Sequence, residues 1–154
     1  MKKILLLLYF IFIPSHNNYE IITYINSVTE STVKVEVKKV CTTIKLIYAT
    51  IYRVDKNQCW SNPIITADGT VIDTVKLNRD EIKYIAVSQD MLKRNGGIFS
   101  YGDSVYLNIP NAPSFTGKYT VHDCMNKRYK KSVDILTGVR KQGNLWRNAT
   151  ITKL

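Results

Sequence analysis

Two aspartates eleven positions apart, Asp123 and Asp134, carry the clearest capacity for chemistry in this chain. Each stands at or near the end of a short alternating run, Tyr119 to His122 and Ser132 to Leu136, and such runs form half-buried strands. Between them lies a polar loop with Lys127, Arg128, Lys130 and Lys131. Carboxyl groups held on rigid strands can move protons, and a basic rim attracts an anionic polymer. A purely architectural reading competes: Asp123 would cap a turn and Asp134 would pair with Lys131 or Arg128. His122 directly precedes Asp123, so strict alternation points its ring to the opposite sheet face and makes it a core or surface residue.

These residues must be positioned by a chain of 154 residues with a net charge of +10. That length suits one compact domain with a real core. The charge calls for anionic surroundings: nucleic acid, acidic lipid or a wall polymer with carboxylates and phosphates. The first residues choose among them. Lys2 and Lys3 precede an unbroken apolar run, Ile4 to Ile13, which Pro14 stops. The run is shorter than the roughly 20 residues needed to cross a bilayer, so residues 1–15 read as a secretory signal. The expected location is therefore secreted, periplasmic or otherwise in the cell envelope. Nucleic acid is then not the expected partner, membrane contact is confined to the N-terminal segment, and the protein is expected to be a monomer. Cys41, Cys59 and Cys124 allow at most one internal disulfide. Cys59 with Cys124 would join two candidate cleft segments; three small buried thiols are the equal alternative. No Cys/His spacing suits a metal, and no cofactor is expected.

Residues 16–42 form an extension in which Val33 to Val40 alternates strictly, as a one-sided strand does. Thr43 to Tyr52 reads as one strand running into a surface loop that contains Cys59 and Trp60. A short strand, Ile64 to Thr66, precedes the turn Ala67-Asp68-Gly69-Thr70, where glycine supplies the positive φ. Glu81 to Val87 is a further strand. Ser88 then caps a helix of about two turns, which Asn95-Gly96-Gly97 ends. Ser104 to Ile109 and Leu145 to Leu154 supply more strands. Six to eight short strands, one short helix and no helix–strand alternation describe a mainly all-β chain, closed as a small barrel.

From Ile47 to the C-terminus the residues resemble a known family. Its marks here are Ala49-Thr50-Ile51-Tyr52, Ile65-Thr66-Ala67-Asp68-Gly69-Thr70, Ile85-Ala86-Val87-Ser88, Tyr101-Gly102-Asp103-Ser104-Val105 and the stretch from Asp123 to Asp134. In that order they are similar to the three-aspartate (3D) domain and rare lipoprotein A-like double-psi β-barrels, relatives of the catalytic domain of membrane-bound lytic transglycosylase A. The resemblance implies a double-psi barrel over residues 43–154 and a secreted cell-wall-active protein. It further implies cleavage of the β-1,4 MurNAc-GlcNAc bond of peptidoglycan, or of another anionic wall glycan. Asp123 would be the catalytic acid/base, and Asp134 would support the cleft or bind sugar hydroxyls. The implied groove is lined by Tyr52, Thr66, Asp68 and Asn126, with Lys127 and Arg128 on its rim. Two departures stand out. Cys124-Met125-Asn126 follow the first aspartate where the family often has Thr-Gly-Gly, and Ser88 stands where a third aspartate is usual, with Asp90 two places on. Either would suit the alternative, a non-catalytic glycan-binding or expansin-like wall-loosening module.

In lytic transglycosylation the muramyl C6 hydroxyl itself attacks C1, so one carboxyl group suffices where a hydrolase needs two. That group must hold a proton near neutrality, well above the ordinary value of about 3.9. Burial and a neighbouring carboxylate would raise it, whereas Lys127 or Arg128 turned inward would lower it. Those cations are therefore expected on the rim.

Overall fold

The computed structural model describes residues 19–21, 37–39, 41–55, 62–138 and 144–154. The expected signal segment and the loop with Cys59 and Trp60 lie outside them. The chain divides into two units, Met1–Thr42 and Thr43–Leu154. In the first, β1 (Tyr19–Ile21) and β2 (Val37–Lys39) pair antiparallel, with Tyr19 opposite Lys39.

The second unit is mainly β. Its strands are β3 (Thr43–Lys45), β4 (Tyr48–Arg53), β5 (Tyr84–Val87), β6 (Ser104–Asn108), β7 (Gly117–Cys124), β8 (Ser132–Thr137) and β9 (Thr150–Lys153), in the spatial order β3-β9-β6-β7-β5-β8-β4. The pairs β4/β8 and β5/β7 are parallel and the others antiparallel. Thr43 to Tyr52 is therefore two strands rather than one, broken at Leu46 and Ile47. The Leu46 N–H donates to Ala149 O and the Ile47 N–H to Lys131 O, so the chain turns there to serve two different neighbours. Ala49 and Trp146 exchange both backbone bonds, at 2.8 and 2.9 Å, which ties the outer edge of β4 to the segment entering β9. Ile64 to Thr66 is not a strand; only Ile65 makes a bridge, to Val71.

Alternation sorts the side chains into two apolar clusters. Val105 and Leu107 of β6, Ile85 and Val87 of β5, and Val133 and Ile135 of β8 enter the larger one, with Phe99, Val121 and Ile151. The intervening positions Ala86 and Leu136 enter the smaller one, with Tyr52, Ile72, Leu77 and Met125. Strands β5 and β8 are thus covered on both faces. Ile72 and Leu77 reach the second face from the 71–80 segment, whose helix α1 spans Thr74–Asn78. The Asp73 carboxylate caps α1, accepting the Val75 and Lys76 N–H groups at 3.0 Å each.

The helix expected from Ser88 is not formed. Two single 3-10 turns, Gln89–Met91 and Lys93–Asn95, flank Leu92, which is extended at φ −79° and ψ 140°. The Ser88 hydroxyl does not cap; it accepts the Ser132 N–H at 3.1 Å. Leu92 is held extended by its bridge to Phe99. Gly97 packs directly on the Met91 backbone, where a Cβ would stand 2.1 Å from the Met91 carbonyl carbon. Gly96, at φ 87°, closes the second turn as Asn-Gly-Gly implies.

Candidate active site

Register brings the two aspartates together from distant parts of the sequence. On one side of β5, Ala86 is opposite Asp123 of β7; on the other it is opposite Asp134 of β8. Asp134 in turn faces Thr50 of β4. Neighbouring strands lie about 4.8 Å apart, so the two aspartate backbones stand roughly 10 Å apart with only a methyl group between them.

The two carboxyl groups are held differently. Asp123 Oδ2 accepts the Tyr52 hydroxyl at 3.0 Å, and Oδ1 accepts the Ala67 N–H at 3.1 Å and the Cys124 N–H at 2.8 Å. Asp134 Oδ1 accepts the Thr50 hydroxyl at 2.9 Å. Burial pushes the Asp123 carboxyl above its ordinary value and the charge on Asp68 adds to the push, while its three donors pull against both. Burial pushes Asp134 up to about 6, reinforced by the charge on Asp123 and opposed by Thr50. Neither Lys131 nor Arg128 forms an ion pair with Asp134. The Lys131 N–H instead donates to the Asp90 carboxylate, and the Arg128 guanidinium lies 4.7 Å from the Tyr129 ring centroid. The architectural pairing considered for Asp134 is therefore absent.

The turn at 66–70 closes over Asp123. The Thr66 hydroxyl, in a residue only 5% exposed, donates to Asp68 Oδ1 at 2.7 Å and also lies 3.1 Å from Thr70 O. Gly69 takes φ 88°, as the turn requires. Asp68 Oδ2 meets His122 Nδ1 at 2.7 Å. Burial opposes the charge on Asp68, but hydrogen bonds from Thr66, His122 and Thr70 outweigh it and hold the carboxyl down at about 2. Thr66 thus spends its hydroxyl inside the turn and Asp68 divides its oxygens between the turn and His122, and through the turn they fix the Ala67 N–H on Asp123.

His122 corrects the alternation argument. Ile85 is opposite Val121 and Ala86 opposite Asp123, so His122 is an extra residue, a β-bulge in β7. A bulge breaks the period of two. Both His122 and Asp123 consequently bond to the 66–70 turn, and the His122 ring packs edgewise on Tyr84 at 4.4 Å. Nothing in the local sequence marks this bulge.

Around this centre, the Asn126 side chain accepts the Arg128 N–H at 3.1 Å and its carbonyl accepts the Tyr129 N–H, so Asn126 builds the loop turn. Lys127 and Arg128 are exposed. Tyr129 packs edge-on against Tyr48, two positions before Thr50 on the same face of β4. Tyr48, Thr50 and Tyr129 are not among the site residues the sequence pointed to, Thr50 standing only within a family mark; their proximity depends on the β4/β8 pairing, which no local signal announces. Cys124 is a free thiol with Arg94 Nη2 at 3.8 Å, while Cys59, its candidate partner, lies outside the described residues. Burial and the Cys124 side chain push the neighbouring Tyr101 hydroxyl far up. Ser88 is fully buried and Asp90 is engaged by Lys131. Among the described residues no group of three or more His, Cys, Asp or Glu could hold a metal ion. An open cavity of about 290 Å³, lined in part by Asp80, Lys83 and Lys118, lies at the opposite end of β7 and includes neither aspartate of the pair.

No family model and no curated protein matches the chain.

Proposed function

We propose that this is a secreted cell-wall-active protein that cleaves the β-1,4 MurNAc-GlcNAc bond of peptidoglycan in the manner of a lytic transglycosylase. Its 43–154 unit is a closed double-psi β-barrel of the 3D and rare lipoprotein A-like type. Closure is supported by the bonds that β4 and the β3–β4 junction make to residues 146–149. The observation that carries the function is the carboxyl pair flanking Ala86, of which Asp134 is raised to about 6 while Asp123 accepts from the buried Tyr52. Proton transfer near neutrality needs a carboxyl group in that range. Incubation of the protein with purified peptidoglycan is expected to release anhydromuropeptides. Products with ordinary reducing ends would replace the mechanism with hydrolysis.

A second reading is favoured by the three donors on Asp123, which tie its carboxyl group to the 66–70 turn and to Tyr52 as a structural anchor. It makes the chain a glycan-binding or wall-loosening module. Co-sedimentation with insoluble wall material and no soluble fragments is its signature.

A further inference from the structure

Half of the net charge of the chain is gathered on two neighbouring segments. Lys127, Arg128, Lys130 and Lys131 lie in the loop between β7 and β8, Lys93 and Arg94 in the second 3-10 turn, and all six are exposed. The only acidic residue among 88–95 and 124–131 is Asp90. The segments are joined directly: Gln89 Nε2 donates to Met125 O at 3.2 Å, the Lys131 N–H to Asp90 Oδ2 at 3.1 Å, and Arg94 Nη2 lies 3.8 Å from Cys124 Sγ. Blocks of like charge repel and are ordinarily disordered. This one is fastened. Asn126 holds the N–H groups of Arg128 and Tyr129, the Ser132 hydroxyl donates to Lys130 O at 2.6 Å, and the Ile47 N–H donates to Lys131 O at 2.7 Å. Lys131 is kept at φ 41°, a conformation that a residue with a side chain adopts at a cost. Among the described residues none of the six cations forms an ion pair, because Asp90 spends its oxygens on a backbone N–H.

Both arginines are set by a tyrosine. The Arg128 guanidinium lies 4.7 Å from the Tyr129 ring centroid and donates to its hydroxyl at 2.6 Å; that of Arg94 lies 5.4 Å from the Tyr101 ring and donates to its hydroxyl at 3.2 Å. Each fork keeps further N–H groups for an oxyanion. We propose that this face binds a phosphodiester polymer of the cell envelope, a polyol phosphate chain laid across the loop and the 3-10 turn. The presence of such a chain rests on the wall-active reading above; the recognition does not. Closely set cations suit a polymer with a charge on every repeat, whereas the carboxylates of a peptide-bearing glycan are spread over separate stems. Single-stranded nucleic acid also carries phosphates, but it is held largely by bases stacked on aromatic rings. Here an arginine lies over each ring, and Tyr129 also meets Tyr48 edge-on.

The test titrates the full-length protein into fluorescently labelled poly(glycerol phosphate) and reads polarisation between about 50 and 200 mM salt. With about 0.7 counterion released per neutralised phosphate, six contacts give a log–log slope of about −4, a loss on the order of 300-fold over that range. Lys93→Gln with Arg94→Gln should weaken binding and flatten the slope by about 1.4, and Lys127→Gln with Lys130→Gln should do the same. Lys76→Gln with Arg79→Gln removes equal charge at α1 and should leave the slope unchanged. Circular dichroism checks each fold, and either folded pair decides. No binding at the lowest salt, a slope untouched by a folded pair, or a slope changed as much by the α1 pair overturns the proposal. So does equal or tighter binding of single-stranded DNA or of polyglutamate of matched charge. Peptidoglycan digestion is read apart: missing anhydromuropeptides sink the cleavage reading and leave polymer binding standing, whereas missing polymer binding sinks only this proposal.

Discussion

Replacing Asp134 with asparagine should make the protein more stable at neutral pH and leave it unchanged in acid. In the folded chain the carboxyl is raised to about 6 from an ordinary 3.8, chiefly by burial. Between those two values the folded state holds a proton that the unfolded state has released, so wild-type stability falls as pH rises through the window. At 1.36 kcal/mol per pH unit the full loss is about 3 kcal/mol, reached somewhat above pH 6. Asparagine keeps the oxygen that accepts from Thr50, keeps the volume and carries no charge. The stability difference between D134N and wild type should therefore grow from near zero below pH 4 to about 3 kcal/mol at pH 7. Urea unfolding of both proteins at half-unit intervals from pH 3.5 to 8 measures it, provided the two slopes against urea agree. A difference that is flat across the window, or a less stable D134N at pH 7, would refute the claim that Asp134 is held against its charge. A residue kept where it lowers stability by this amount is more readily explained by chemistry than by folding.

The remaining expectations concern the frame of the site. Asp68→Asn should destabilise by about 1 kcal/mol at pH 7, a discounted figure because the pair with His122 lies near solvent. Its carboxyl is held down at about 2, so this contribution is present above the ordinary value of 3.8 and is lost as pH falls through 2; thermal melts at pH 7 and pH 2 should show the gap closing. The same substitution should move the Asp123 carboxyl resonance, because Asp68 fixes the turn that presents the Ala67 N–H. Gly97→Ala would drive a methyl group into the Met91 backbone and should cost about 3 kcal/mol or more by urea unfolding; a neutral result would mean the 3-10 segment shifts without loss.

The sequence alone was enough for several features. Strict alternation in Ser104–Asn108 places Val105 and Leu107 inward, because a period of two needs only local information. Gly69 and Gly96 marked their turns, since a positive φ is a property of one residue. The candidate site was legible as residue types: Asp123, Asp134 and Tyr52 do converge, through Tyr52 and the shared neighbour Ala86. The sequence missed the five-residue helix α1, too short for any periodicity to show although Asp73 is a good cap. It misjudged Ser88, whose hydroxyl serves Ser132 rather than a helix end.

What tertiary structure decided is how each acidic group is used. Thr50 is 84 residues from Asp134 in sequence and Tyr52 is 71 from Asp123, and strand pairing brings each within 3.0 Å of its partner. One inserted residue, His122, turns two successive side chains of β7 toward the same turn and so builds the Asp68 contact. Residue type sets what a carboxyl group can do, whereas its burial and its donors come from chain segments that meet only after folding, and these determine which aspartate keeps its proton.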